Sequence, residues 1–166
     1  MRIRILTAIV AGLLCGTLGA QVAPAIPRAD RVVVFKRANA AASRSGKIIK
    51  RYRVALGGNP IGPKKQQGDH KTPEVVYILD SRNAHSSYYK SIHISYPNAR
   101  DRAAALKSHV SAGGDVFILG LPNGYKWVGK EHLLKDWTDG CVAVTDEEMD
   151  EIWRAVPNGT PIEIRP

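Results

Sequence analysis

The sequence predicts a mainly β domain with two helices. Short runs rich in Val, Ile, Tyr and Phe recur from residue 31 onward, and Gly, Pro, Asn and Ser separate them as turn signals. Two other segments begin with helix-capping residues instead, at Asn98 and at Thr145. No internal repeat interrupts this organisation.

The strands are predicted in chain order. A turn signal at 43–46 joins the first two into a hairpin, and the Gly- and Pro-rich stretch 57–73 follows as a loop. The predicted strands cover residues 31–35, 47–56, 75–79, 91–96, 115–121 and 161–164.

Each predicted helix has an apolar face. Asn98 caps a helix running to about residue 110, with Ala103, Leu106 and Val110 facing inward. Thr145 and Glu148 form a capping box for the second helix. Its inward residues recur at positions i, i+3, i+4 and i+7, namely Met149, Ile152, Trp153 and Val156.

Residues 1–20 have the pattern of a secretory signal peptide, with Arg2 and Arg4 before an uncharged apolar run. That run is short for a permanent membrane span, although an uncleaved anchor is the alternative. We therefore expect export to the periplasm or cell envelope and no stable membrane span after cleavage. Residues 21–30 are predicted to be a linker, and residues 31–166 a single domain.

The chain is basic. Its formal charge is +9, and loss of Arg2 and Arg4 leaves 9 − 2 = +7. Anionic polymers are suitable partners for such a surface, but the charge is also compatible with an ordinary solvated face. No basic helix or aromatic-interleaved strand is visible, and export argues against nucleic acid as a partner.

The most informative residue is Cys141, in the run Lys135–Val144. The other cysteine, Cys15, lies in the predicted signal peptide, so cleavage leaves one thiol that is buried, paired between chains or reactive. Gly140 allows close backbone approach and leaves amides that stabilise an oxyanion. A reactive thiol needs a base, and the histidines are His70, His85, His93, His109 and His132.

The segment 136–144 (DWTDGCVAV) resembles the nucleophile motif of YkuD-type L,D-transpeptidases, in particular the single-domain ErfK-like branch. Other segments agree in order, at 54–60, 62–63, 68–74, 94–98, 113–115 and 120–124. The resemblance covers about residues 30–165 and implies a β-sandwich-like fold of that type.

The resemblance also implies a function. Members of that family attack the third residue of a peptidoglycan stem tetrapeptide with the cysteine and expel D-alanine. The thioester then passes to an acceptor amine, or to water in a hydrolase. No metal or organic cofactor is implied, and carbapenems are expected to acylate Cys141.

One departure from the family pattern is important. Leu119 occupies the position of the usual base histidine, and leucine cannot accept a proton. Three explanations are open: another histidine serves, with His93 preferred over His132; catalysis is slow; or the protein is a pseudoenzyme that binds peptidoglycan.

The residues around Cys141 are expected to bind substrate. Asp136 or Asp139 would recognise the amine of the diamino acid, or else both would order the loop through backbone amides. Trp137 is a candidate for packing on a peptide or sugar, although for it and for Trp127 packing in the core is the preferred alternative. The remaining predicted substrate-binding residues are Thr138, Gly140 and Gly120, whereas Ala143 replaces an arginine seen in many relatives.

Overall fold

The computed structural model describes residues 27–37 and 39–166, and most of these belong to one eight-stranded mixed sheet with helices packed around it. The predicted signal peptide and all but the end of the predicted linker lie outside the described residues. Within the described ranges no helix is long and apolar enough to cross a bilayer.

The strands in chain order are β1 (Arg31–Phe35), β2 (Asn39–Arg44), β3 (Lys47–Arg53), β4 (Val75–Ser86), β5 (Tyr89–Ile94), β6 (Phe117–Leu119), β7 (Val142–Ala143) and β8 (Thr160–Arg165). The sheet order is β3-β2-β1-β8-β4-β5-β6-β7. Among the strand pairs of the described residues, β1–β8 and β6–β7 are parallel and the others are antiparallel. The mainly β prediction is confirmed.

The two edges of the sheet approach each other. Beyond β3 the chain continues to Ala55, whose N–H donates to the carbonyl of Ala143 at 3.0 Å, and Ala143 N–H returns a bond to the Ala55 carbonyl at 2.8 Å. Gly57 and Thr138 form a second bridge nearby. The loop before β7 is therefore fixed to the far edge of the sheet.

The core lies inside this curled sheet and under the last helix. Alternate residues of the strands fill it, as the period of two requires, with fully buried side chains such as Val34, Leu79, Ile92 and Ile162. Met149 and Ile152 of the last helix close one side of the same cluster.

Two α-helices were predicted and both are present, α1 (Ala99–Lys107) and α2 (Asp146–Ala155). Capping boxes begin both, at Asn98 with Asp101 and at Thr145 with Glu148. The predicted inward face of α1 is wrong, because Leu106 is 76% exposed and the helix buries Ala105 instead. The short alanine-rich helix carries little apolar surface on any face.

Two elements were missed. β2 pairs with both β1 and β3, so the predicted direct hairpin between residues 31–35 and 47–56 is wrong. Its Asn-Ala-Ala-Ala-Ser composition has low strand propensity, and its two neighbours stabilise it. A 3-10 helix at Lys126–Leu134 occupies the predicted loop before Cys141.

Candidate active site

Cys141 immediately precedes the short strand β7, at the end of a tightly bonded turn. Thr138 organises this turn: its Oγ1 accepts from Gly140 N–H at 3.1 Å and donates to the Cys141 carbonyl at 2.8 Å. Thr138 N–H also donates to the Leu56 carbonyl at 3.0 Å. The Gly140 amide is thus used within the turn rather than left free for an oxyanion.

Gly140 is required at its position. Its φ is +129°, and a Cβ there would lie 2.5 Å from the Lys71 carbonyl oxygen. Only glycine has both this backbone freedom and the space for this approach. The turn that carries Cys141 therefore packs directly on the loop around residue 71.

The thiol is half-buried and its pKa is raised. Burial is the main cause, and the carboxylates of Asp139 and Asp115 add to it, while the Phe117 backbone and the Lys64 ammonium oppose it. Its hydrogen bond goes to the Asp115 carbonyl, with Sγ and O 3.8 Å apart. A thiol in this setting is mostly protonated at neutral pH and needs a proton acceptor to become a nucleophile.

Leu119 lies beside this thiol. It is the last residue of β6 and pairs with Ala143 in the parallel ladder. With Ala55, Ala143 and the partly buried Cys141 it forms a small apolar cluster. The side chain at position 119 therefore contacts the surroundings of Cys141 without offering a proton acceptor.

Two cavities meet at Cys141. The first, of about 440 Å³, is called the aromatic cavity here and is lined by Asn83, Ser86, Ser87, Tyr88, Ser91, Asp115, Phe117, Leu119, Trp137, Thr138, Asp139 and Cys141. The second, of about 610 Å³, is the polar cavity, lined by Lys64, Gln67, Gly68, His70, Ser111, Gly113, Gly114, Asp115, Val116, Asp139 and Cys141. Asp115, Asp139 and Cys141 border both.

The two histidines predicted as bases lie away from these cavity walls. His93 bonds through Nδ1 to Asp80 Oδ1 at 2.7 Å and meets the Phe117 ring edge-on at 5.3 Å between centroids. His132 is 6% exposed, neither ring nitrogen has a hydrogen-bond partner, and burial lowers its pKa. Their catalytic role stays a prediction.

His132 instead borders a third, apolar cavity. This cavity has a volume of about 420 Å³ and shares Trp137 with the aromatic cavity. Trp137 stacks on Tyr88 with ring centroids 6.4 Å apart and also packs against the small apolar cluster of Ala55, Leu119 and Ala143. It is therefore both a wall of the site and, as expected, in contact with the core. Trp127, which was expected in the core, is 78% exposed.

The predicted substrate-binding residues divide into two groups. Trp137, Thr138 and Asp139 border the aromatic cavity. Asp136 accepts from Leu56 N–H at 2.7 Å and orders the backbone, as the alternative prediction held. Gly120 borders neither cavity beside Cys141, and a Cβ there would lie 2.8 Å from Asp146 Oδ1. Gly120 thus allows β6 to pack closely on the start of α2.

His70, one of the five candidate histidines but not a preferred one, lies at the site. It lines the polar cavity, and its Nδ1 is 2.5 Å from Asp139 Oδ1. The sequence signal for this pair was weak. His70 and Asp139 lie in two polar motifs, 68–74 and 136–141, and each motif has a titratable residue beside a glycine. No group of three or more His, Cys, Asp or Glu side chains in residues 27–37 and 39–166 is arranged to hold a metal ion.

The structure thus places a half-buried cysteine at the meeting point of two cavities, directly before a short strand of a mainly β sheet. The sequence model of the family described as "YkuD: L,D-transpeptidase catalytic domain" matches residues 29–164. The chain therefore belongs to the L,D-transpeptidase catalytic domain family.

Curated proteins and solved structures agree with this assignment. The chain is 30% identical over 112 residues to "Putative L,D-transpeptidase YafK" of Escherichia coli (strain K12), covering 66% of this chain and 37% of that protein. It thus spans little more than a third of the length of the curated relatives it matches.

Among solved structures, Bd1075 of Bdellovibrio bacteriovorus has a TM-score of 0.57 at 24% identity, over 84% of this chain and 48% of that one. The helical cell shape determining protein Pgp2 of Campylobacter jejuni has a TM-score of 0.61 at 22% identity, over 83% and 48%. At these identities the likeness establishes the fold.

Proposed function

We propose that this chain is an exported peptidoglycan L,D-transpeptidase that uses Cys141 as its nucleophile. The observation that carries the proposal is the position of the thiol, which borders both the aromatic and the polar cavity. Acyl transfer between two peptides requires the donor carbonyl to reach the sulfur, and then the acceptor amine to reach the acyl carbon that the sulfur carries. Membership of the L,D-transpeptidase family supports the reaction type.

The reaction proceeds through a thioester. The Cys141 thiolate attacks the carbonyl carbon of the third stem residue, a C–S bond forms, and the C–N bond to the terminal D-alanine breaks as the amine takes a proton. The acceptor amine then attacks the thioester, loses a proton, and releases the thiolate. With water as acceptor the same steps give hydrolysis, and no metal or organic cofactor takes part.

The carboxylates at the meeting point of the cavities suit an amine acceptor. Asp115 and Asp139 border both cavities beside Cys141, and either carboxylate attracts the cationic amine of a diamino acid before it is deprotonated. Such an enzyme would cross-link or remodel the wall in the periplasm or cell envelope, with consequences for cell shape.

A carbapenem tests this function directly. Purified protein is mixed with a carbapenem, and the intact mass is followed for an adduct that peptide mapping locates on Cys141. In parallel, a disaccharide-tetrapeptide donor is incubated with the protein, and chromatography with mass spectrometry separates 3-3 dimers from hydrolysed tripeptide. Cys141→Ala is the matched control. The proposal is overturned if wild type forms no more carbapenem adduct and no more donor product than Cys141→Ala does.

A second candidate is a catalytically impaired protein that binds peptidoglycan. The observation in its favour is the raised thiol pKa together with leucine at position 119. This candidate predicts that purified cell-wall sacculi pull down wild type and Cys141→Ala equally while neither turns over a donor. Turnover by wild type alone would exclude it.

A further inference from the structure

We propose that His70, oriented by Asp139, takes and returns the proton of Cys141 in place of the base absent at position 119. This inference rests on the proposed function. Its starting point is the contact between His70 Nδ1 and Asp139 Oδ1 at 2.5 Å. Both side chains line the polar cavity together with Cys141, and Asp139 lies two residues before that cysteine.

The pair contributes little to folding. The side chains of His70 and Asp139 are 59% and 85% exposed, and ion pairs this accessible contribute about 0–1 kcal/mol to stability. Yet the backbone of His70 is in the left-handed region, with φ +54°. Strain at a non-glycine residue persists where the surroundings impose it, and it is frequent at functional sites.

The surroundings of His70 do impose its position. Its carbonyl accepts from Asn59 N–H at 2.9 Å, and a Cβ on Gly57 would lie 2.4 Å from the same carbonyl oxygen. Gly140 permits the matching approach on the other side, at Lys71. Two glycines on separate segments thus hold residues 70 and 71 against the turn that carries Cys141.

The loop below His70 is also rigid. The Asp69 carboxylate accepts from the N–H groups of Lys65, Gln66 and Lys71 at 2.7–3.1 Å and from Lys64 Nζ at 2.9 Å. Burial alone would raise the pKa of Asp69, but these hydrogen bonds outweigh it and lower the pKa. Lys64 Nζ also reaches the Asp139 carbonyl at 3.5 Å, so one ammonium joins both loops.

The bonding pattern gives the imidazole a defined role. When the His70 Nδ1–H donates to the Asp139 carboxylate, Nε2 is the nitrogen that exchanges protons with the thiol. Catalytic triads of a nucleophile, a histidine and a carboxylate use the histidine in the same way. Asp139 stabilises the imidazolium that forms, and this cation offsets the repulsion between Asp139 and the thiolate. The other charged groups that line the polar cavity are Lys64 and Asp115.

The proton balance is complete. Nε2 takes the thiol proton as Sγ attacks the donor carbonyl, and returns it to the D-alanine amine as the C–N bond breaks. It then takes a proton from the acceptor amine, and gives it back to the sulfur when the C–S bond breaks. In this account His70 is the catalytic base and acid, and Asp139 is its positioning residue.

The test measures the rate of Cys141 modification between pH 5 and pH 9. Carbapenem acylation and iodoacetamide alkylation are followed by intact mass for wild type, His70→Gln, Asp139→Asn and His93→Gln, with His85→Gln as the matched exposed control. We expect His70→Gln to slow acylation at pH 7 by about 10²- to 10⁴-fold. Asp139→Asn should slow it less. Because the Asp139 carboxylate raises the pKa of the Cys141 thiol, removing its charge alone would favour the thiolate, so slower acylation in this variant would report its orienting role.

The outcomes separate the two proposals. Normal acylation of His70→Gln alongside acylated wild type would overturn the role of His70 and leave the transpeptidase proposal intact. If acylation is lost in His93→Gln but not in His70→Gln, the role of His70 is likewise overturned, in favour of His93. If no carbapenem adduct and no donor product form with wild type at any pH, the proposed function fails, and this inference fails with it. Circular dichroism verifies that each variant is folded.

Discussion

Substitution of Leu119 by histidine should restore acyl transfer to the His70→Gln variant, from which the proposed base has been removed. The side chain at 119 is 4% exposed, packs in the cluster that contains Cys141, and faces a cavity of about 440 Å³ that has room for an imidazole. A general base at such a position contributes about 10²- to 10⁴-fold. At 1.36 kcal/mol per tenfold, this lowers the barrier by roughly 2.7–5.4 kcal/mol.

The same substitution should cost stability. Leu119 is almost fully buried, and loss of an aliphatic side chain from such a site removes about 1.5–3 kcal/mol of apolar stabilisation. Compared with His70→Gln alone, the double variant His70→Gln/Leu119→His should therefore be faster in acylation and lower in Tm. A faster acylation rate together with a lower Tm distinguishes a catalytic gain from a general improvement in folding.

The assay is the pseudo-first-order rate of carbapenem acylation at pH 7, read by intact mass, with thermal unfolding measured on the same samples. Leu119→Gln is the matched control, since glutamine is polar and similar in size but cannot accept the proton. If, in the His70→Gln background, Leu119→His is no faster than Leu119→Gln, a base at position 119 cannot serve Cys141. That result would refute the reasoning.

Three further predictions concern stability. Gly140→Ala should lower the free energy of unfolding by roughly 2 kcal/mol more than Gly46→Ala, because both have positive φ but only Gly140 meets the Lys71 carbonyl; equal urea midpoints would contradict this. Burial lowers the pKa of His132, so the imidazole takes up a proton at higher pH in the unfolded chain than in the folded chain. The free energy of unfolding therefore falls as pH drops below about 6.5, by at most about 1.4 kcal/mol per pH unit. His132→Phe should flatten that slope in urea titrations at pH 7.5 and 5.0, and an unchanged slope would show that another group causes it. Thr145→Ala removes the cap of α2 and should cost about 1 kcal/mol by thermal unfolding, whereas an unshifted Tm would show that the cap contributes nothing.

Local signals predicted much of this fold. The Thr145 and Glu148 capping box, with apolar residues at helical spacing after it, depends only on neighbours within one or two turns, and α2 matches it closely. Strand β2 could not be found this way, since its alanine-rich sequence gains its stability from pairing with β1 and β3. The exposed Leu106 likewise depends on which side of α1 faces the sheet, which no local pattern specifies.

The candidate site shows the same division. Its candidate nucleophile could be named from the sequence, because the motif at 136–144 is contiguous and Leu119 is visible as a departure from the family pattern. The partner of Asp139 could not, because His70 is 69 residues distant along the chain. Sequence reasoning preferred His93 from strand alternation, and that ring instead pairs with Asp80.

The sequence by itself therefore determined the family, the mainly β class, the capped helices and the identity of the thiol, since each is encoded in residues close together. The tertiary structure alone decided what surrounds that thiol: two cavities meeting at one sulfur, carboxylates and burial that raise its pKa, and the His70–Asp139 pair. The physical reason is that Gly57 and Gly140 permit contacts between segments far apart in sequence, and only the closed sheet brings those segments together.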